Sequence, residues 1–190
     1  MKTTDRPMPT LMKVVFWFVA ANALVGACSL IFFPADTARL FFWEIKPPIN
    51  AALFGALYLG GAAVVALVTY RARWEQARFL IPILVSAGAL ISITTLLHLD
   101  RFSPGPRLVY WLVIYVGAPL LALLFYLQHE RSGANWTVIR PVARATRSLA
   151  VAVGAVLVVL GILALIWPES VVAQWLWPIT PLMVRIFFLV

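Results

Sequence analysis

Charge, cysteine and histidine are what this sequence has little of. Of its 190 residues 12% are charged, about half the usual share of a soluble domain, while 63% are hydrophobic. Such a chain cannot cover a water-facing surface, which excludes an ordinary soluble enzyme or binding module and leaves an integral membrane protein. The single cysteine, Cys28, excludes an internal disulfide framework and any cysteine-based zinc site. Two histidines, His98 and His129, stand without an HExxH motif or clustered carboxylates, so no metal site is expected and no cofactor is implied. Asp, Glu, Lys, Arg and His are also missing from the interiors of the first five apolar runs. Pumps and proton-coupled transporters usually carry such groups at mid-depth.

What is present is a series of long apolar runs. Residues 14–33, 51–70, 79–99, 108–128 and 149–167 each carry about enough apolar length to cross a bilayer as a helix. A sixth run, residues 182–190, reaches only about 13.5 Å at the helical rise, under half of a bilayer's hydrocarbon core. The fold class is therefore an all-α polytopic membrane protein with five transmembrane helices and a partial sixth. Around Cys28 the segment 25–28 loosely resembles a lipoprotein cleavage box, but the apolar run continues past it to Phe33. An uncleaved first helix is the expectation.

One stretch recurs. Pro34, Trp43, Ile45 and Pro47 match Pro168, Trp177, Ile179 and Pro181 without a gap, 134 positions later, each copy lying between two apolar runs. Lys13 matches Arg147 at the same offset. This predicts a parallel four-helix internal repeat whose second copy is incomplete. The expected divisions are a cytoplasmic N-terminal segment (1–13), a first four-helix membrane unit (14–128), a cytoplasmic basic linker (129–147) and the start of a second unit (148–190). A helix ending inside lipid would leave unsatisfied carbonyls, so the second unit is expected to be truncated.

Orientation follows from the basic residues. With the N-terminus inside, the inner segments hold Lys2, Arg6, Lys13, Arg71, Arg73, Arg78, Arg131, Arg140, Arg144 and Arg147. The outer loops hold only Arg39, Lys46, Arg101 and Arg107. A multi-pass protein of a bacterial cytoplasmic (inner) membrane with a cytoplasmic N-terminus is expected. The net charge of +8 sits at the ends of apolar runs, which suits anionic lipid headgroups on the cytoplasmic face rather than nucleic acid.

Candidate functional residues gather at the outer face. His98, Asp100 and Arg101 end the third run, with Arg107 across a short loop, and Trp43, Glu44 and Lys46 belong to the recurring stretch. Together they form a candidate outer-face binding cluster for a polar solute or a lipid headgroup, with His98 able to exchange a proton near neutral pH. The plainer reading is an interfacial histidine beside a local ion pair. Within the runs Asn22, Tyr58, Ser92 and Tyr115 are polar, and a transporter would place a cavity among them. A lone Asn such as Asn22 calls for an interhelical hydrogen bond, and Gly117 with Pro119 predicts a kink. Ala52, Ala56 and Gly60 lie on one helix face, where a membrane partner or a second copy is expected to pack. No catalytic residue set emerges. The functional expectation is a non-enzymatic protein for small-solute or lipid handling, or a membrane accessory subunit. The alternative is a membrane-embedded enzyme acting on an outer-leaflet substrate through His98 and Asp100.

Overall fold

The computed structural model describes residues 7–131 and 143–189. Lys2, Arg6, Arg140 and most of the basic linker lie outside them. Among the described residues the chain is all-helical, without a strand. Five helices are long and apolar enough to cross a membrane: Thr10–Phe32 (α1), Pro48–Arg71 (α3), Trp74–Leu97 (α4), the composite span Pro106–His129 and Arg144–Ile166 (α7). Short helices Thr37–Leu40 (α2) and Pro168–Gln174 (α8) follow α1 and α7, and the nine-residue Pro181–Leu189 (α9) follows α8. At about 13.5 Å, α9 is too short to cross.

The helices begin and end where local chemistry demands. Pro48, Pro106 and Pro168 open α3, α5 (Pro106–Leu112) and α8, at a position whose N–H has no helical partner anyway. Gly105, at φ 91, turns the chain into α5 with a backbone that a side chain would strain. Ala72 ends α3 in the left-handed region, its N–H reaching Val68 O and Thr69 O, and α4 starts two residues on. The fourth span is broken: α5 passes into a π-helical turn, Val113–Gly117, and then Ala118–Arg131 (α6). Pro119 has no N–H to return to the preceding turn, so the regular ladder gives way to this π-helical turn where the sequence predicts a kink.

α1 and α3 pack closely because small residues let their backbones approach. A methyl group on Gly55 would lie 2.8 Å from Ile31 Cγ1 and 3.2 Å from the Ala27 carbonyl oxygen. The Ala52, Ala56 and Gly60 face points elsewhere. Ala56 and Gly60 are exposed, and a methyl group on Gly60 would meet nothing within 4 Å. α4 meets the fourth span at Gly88, where an added Cβ would fall 2.4 Å from Pro119 Cγ and 2.9 Å from Tyr115 O.

Two clusters hold the bundle. At the end that carries α2 and α8, here the loop end, Phe41, Trp43, Phe54, Phe102 and Trp111 pack with Leu182, Met183 and Ile186 of α9. Toward the opposite end Met12, Phe16, Trp74, Ile81 and Ala122 pack together. The outward faces are apolar too: Leu57, Val64 and Leu67 on α3 and Val151 to Leu160 along α7 are largely exposed. Water would not tolerate so continuous a patch, whereas lipid accommodates it.

α7 and α1 have matching ends. α1 starts after Pro9 (φ −54, ψ 140) and stops at Phe33 (φ −130, ψ 53). α7 starts after Ala143 (φ −54, ψ 141) and stops at Trp167 (φ −126, ψ 60). Their packing differs. α7 buries Gly161 and Ala164 near its loop end and leaves most of its length to the surroundings.

Candidate functional site

The loop between α1 and α3 is built around Thr37. Its buried hydroxyl accepts the Ile45 N–H at 2.8 Å, closing the segment that holds Phe41, Phe42 and Trp43. Phe41 and Trp43 turn inward rather than lying at the membrane surface. Trp43 is 2% exposed, with ring centroids 4.9 Å from both Phe41 and Phe102 and 5.2 Å from Trp111. Arg107 supports the same loop, donating from Nη1 to Ala38 O at 3.3 Å and to Phe41 O at 3.5 Å. The Ser103 N–H donates to Phe42 O at 2.9 Å.

The remaining charged candidates fall into separate pairs. Lys46 Nζ lies 2.7 Å from Glu44 Oε1, at an exposed position beside a cleft lined by Pro47, Pro48, Pro178 and Thr180. Arg101 Nε lies 3.1 Å from Asp100 Oδ2, also exposed. His98 is half-buried at the end of α4, and its Nε2 accepts from Arg185 Nη1 at 2.6 Å. Arg185 Nε donates to Leu165 O at 3.0 Å, so one guanidinium joins α4, α7 and α9. Burial lowers the His98 pKa below its ordinary 6.5, and Arg185 and Arg101 lower it further, while Asp100 and Glu169 oppose them. At neutral pH the ring is an acceptor at Nε2, already engaged. Among the described residues no three His, Cys, Asp or Glu side chains converge as metal ligands.

The structure also brings together the polar residues of the spans. A half-open cavity of about 170 Å³ lies between the two packed clusters, bordered by α1, α3, α4, the π-helical turn and α6. Asn22, Tyr58 and Tyr115 line it, with Val19, Leu84, Gly88, Ile91 and Pro119 among the apolar wall. Tyr58 and Tyr115 hydrogen-bond hydroxyl to hydroxyl across it. Asn22 Oδ1 accepts from Tyr110 OH at 2.9 Å, the interhelical bond a lone membrane Asn calls for. Ser92 stands behind the wall, its hydroxyl near Gly88 O at 2.7 Å and Tyr115 O at 3.3 Å. The second of these carbonyls faces Pro119, which has no N–H to offer it.

Aromatic packing closes the cavity toward the loop end. Trp111 lies on Tyr115 with centroids 4.1 Å apart, and Phe41 meets Tyr58 edge-on at 6.3 Å. The recurring stretch and the interior polar residues, separate features in the sequence, are thus adjacent layers of one site. Three residues outside the predicted cluster matter here. Asn50, Trp111 and Arg185 tie the loop end together, and the sequence signal for each was weak: an Asn after a Pro pair, a Trp at a run end and an Arg inside an apolar run. Set beside known protein families, curated proteins and solved structures, the chain finds no match in any of the three.

Proposed function

We propose that this is a non-enzymatic multi-pass membrane protein that handles a small apolar solute or lipid-derived molecule in the cavity between its first four spans. The observation that carries the reading is that cavity: an apolar chamber of about 170 Å³ in which Asn22, Tyr58 and Tyr115 supply a few hydrogen-bonding groups. Ligand sites combine an apolar lining with a small number of placed polar groups in this way. Glu44 and Lys46 pair with each other, as do Asp100 and Arg101, and Arg107 is bound to backbone carbonyls, which favours a supporting role for these five.

The threading that goes with this reading puts the N-terminus in the cytoplasm of a bacterial cell and the loop end outside. Lys13, Arg71, Arg73, Arg144 and Arg147 at the opposite end support it. The matching caps of α1 and α7, together with the shared Pro, Trp, Ile and Pro positions, support a duplicated unit.

The test is to fill the chamber. Wild-type protein in micelles is expected to gain thermal stability with saturating toluene, and Ala87→Phe, on the α4 wall, is expected to lose that gain while remaining folded. An equal gain in both proteins would dismiss the cavity as the binding place. For the threading, a cysteine in place of Glu44 in a Cys28→Ala background should react with an impermeant maleimide added outside intact cells.

A further inference from the structure

The walls of the chamber restrict its ligand by size, charge and hydrogen-bonding sense. A cavity of about 170 Å³ is ring-sized, since an engineered apolar cavity of about 150 Å³ accommodates benzene. Among the described residues no Asp, Glu, Lys, Arg or His lines it, so an ionised ligand would lose its hydration with no compensating charge.

Among the polar groups that remain are donors with no acceptor. The Tyr58 and Tyr115 hydroxyls own two protons and share one hydrogen bond, so one proton is left over. Asn22 uses its carbonyl oxygen on Tyr110, and among the described residues its amide N–H groups make no hydrogen bond. These groups also sit toward one end. Phe41 and Trp111 cover the two tyrosines on the loop side, whereas Val15, Phe16, Val65, Leu84 and Ala122 form an apolar floor toward the opposite end.

We propose that the cavity binds a neutral, ring-sized molecule bearing a carbonyl oxygen, the oxygen held by the spare donors of the Tyr58–Tyr115 pair and Asn22 and the ring lying on the apolar floor. This rests on the reading of the cavity as a ligand site and adds the class of the ligand. A donor-only molecule, like a hydrocarbon of the same shape, leaves the spare protons unpaired. An unpaired donor held away from water is a standing cost that a carbonyl removes.

The experiment compares acetophenone with α-methylstyrene, which replaces the carbonyl oxygen with a methylene group at nearly the same shape. Full-length protein in nanodiscs is expected to bind acetophenone ~5-fold more tightly, the factor that one neutral hydrogen bond contributes. The bound carbonyl stretch in the infrared is expected to move to lower wavenumber than in protein-free nanodiscs. Tyr58→Phe and Tyr115→Phe singly each leave one hydroxyl with a free proton, so both are expected to keep the preference. The double variant with Asn22→Leu removes the donors and is expected to bind both probes equally. Equal binding of the two probes by wild type, with an unshifted carbonyl band, overturns the carbonyl assignment and leaves the cavity reading standing. Failure of both probes to bind overturns the cavity reading itself. Should the triple variant not fold, the wild-type carbonyl band decides alone: shifted supports the assignment, unshifted rejects it.

Discussion

Trp177 Nε1 donates to Asn50 Oδ1 across 2.8 Å, and the same Asn50 donates from Nδ2 to Pro178 O at 3.2 Å and to Lys46 O at 3.0 Å. One fully buried amide at the first turn of α3 therefore holds the loop that precedes it and the loop between α8 and α9. Asn50→Ala strands an indole N–H and a carbonyl from each loop. It is expected to destabilise the protein by about 2 kcal/mol, because three part-buried groups lose their partner at once. Trp177→Phe removes a donor and leaves Asn50 partly satisfied, so its expected cost is about 1 kcal/mol from the hydrogen bond. Reversible unfolding in mixed micelles measures both, and equal costs would count against the bridge.

Trp43 supports the same end by packing alone. Among the described residues its Nε1 is buried without a hydrogen-bond partner, while its ring touches Phe41, Phe54, Phe102 and Trp111. Trp43→Ala is expected to cost about 3–5 kcal/mol, as for other buried aromatics. Trp43→Phe should cost clearly less, since it keeps an aromatic ring and discards the unpartnered N–H. A Phe variant as unstable as the Ala variant would mean that the N–H has a partner after all.

Gly88 and Gly60 make opposite predictions for one substitution. A Cβ on Gly88 meets Pro119 Cγ at 2.4 Å and the Tyr115 carbonyl at 2.9 Å, on a backbone that cannot yield locally. Gly88→Ala is therefore expected to push α4 from α6, costing about 1–3 kcal/mol, and to weaken toluene binding. Gly60→Ala meets nothing within 4 Å and is expected to be neutral or stabilising by up to about 1 kcal/mol. Unfolding of the two variants side by side checks this, and a reversed order would refute the packing at Gly88.

The parts of this fold that were legible in the sequence are those that lipid enforces locally. A backbone in hydrocarbon must pair its own polar groups, so uncharged runs of about 20 residues have one outcome, and the described residues hold five such helices. Pro119 announces a break because it lacks an N–H, and Asn22 announces a need for a partner, though not that the partner is Tyr110. Contacts between distant segments were not legible. His98 meets Arg185 across 87 positions and Asn50 meets Trp177 across 127. Helices apolar all round carry no stripe that says which face meets which neighbour. Chemical type groups the loop-end residues in the sequence, whereas their surroundings depend on other spans: Trp43 is enclosed because Phe102 and Trp111 come to it. Nor does any local signal encode a cavity, which is set by where Gly88 lets Pro119 approach and where the next turn leaves room.

The contact between His98 and Arg185 makes the seating of α9 depend on pH. His98 Nε2 can accept from the guanidinium only while the ring is neutral, and burial, then Arg185, then Arg101 keep its pKa below 6.5 against the pull of Asp100 and Glu169. The unfolded chain thus takes up a proton at His98 at higher pH than the folded chain does. The histidine's contribution to stability is therefore complete above 6.5 and is lost as pH falls from there through the folded-state pKa. His98→Gln supplies a side-chain oxygen for Arg185 that does not titrate. The difference in unfolding midpoint between wild type and His98→Gln is expected to move against wild type as pH is lowered from about 8 to about 5. Arg185→Gln, which removes the neighbouring charge, should raise the His98 pKa as followed by its ring resonances in NMR. A midpoint difference that stays flat over the whole range would show that the ring bears no titrating load in holding α9.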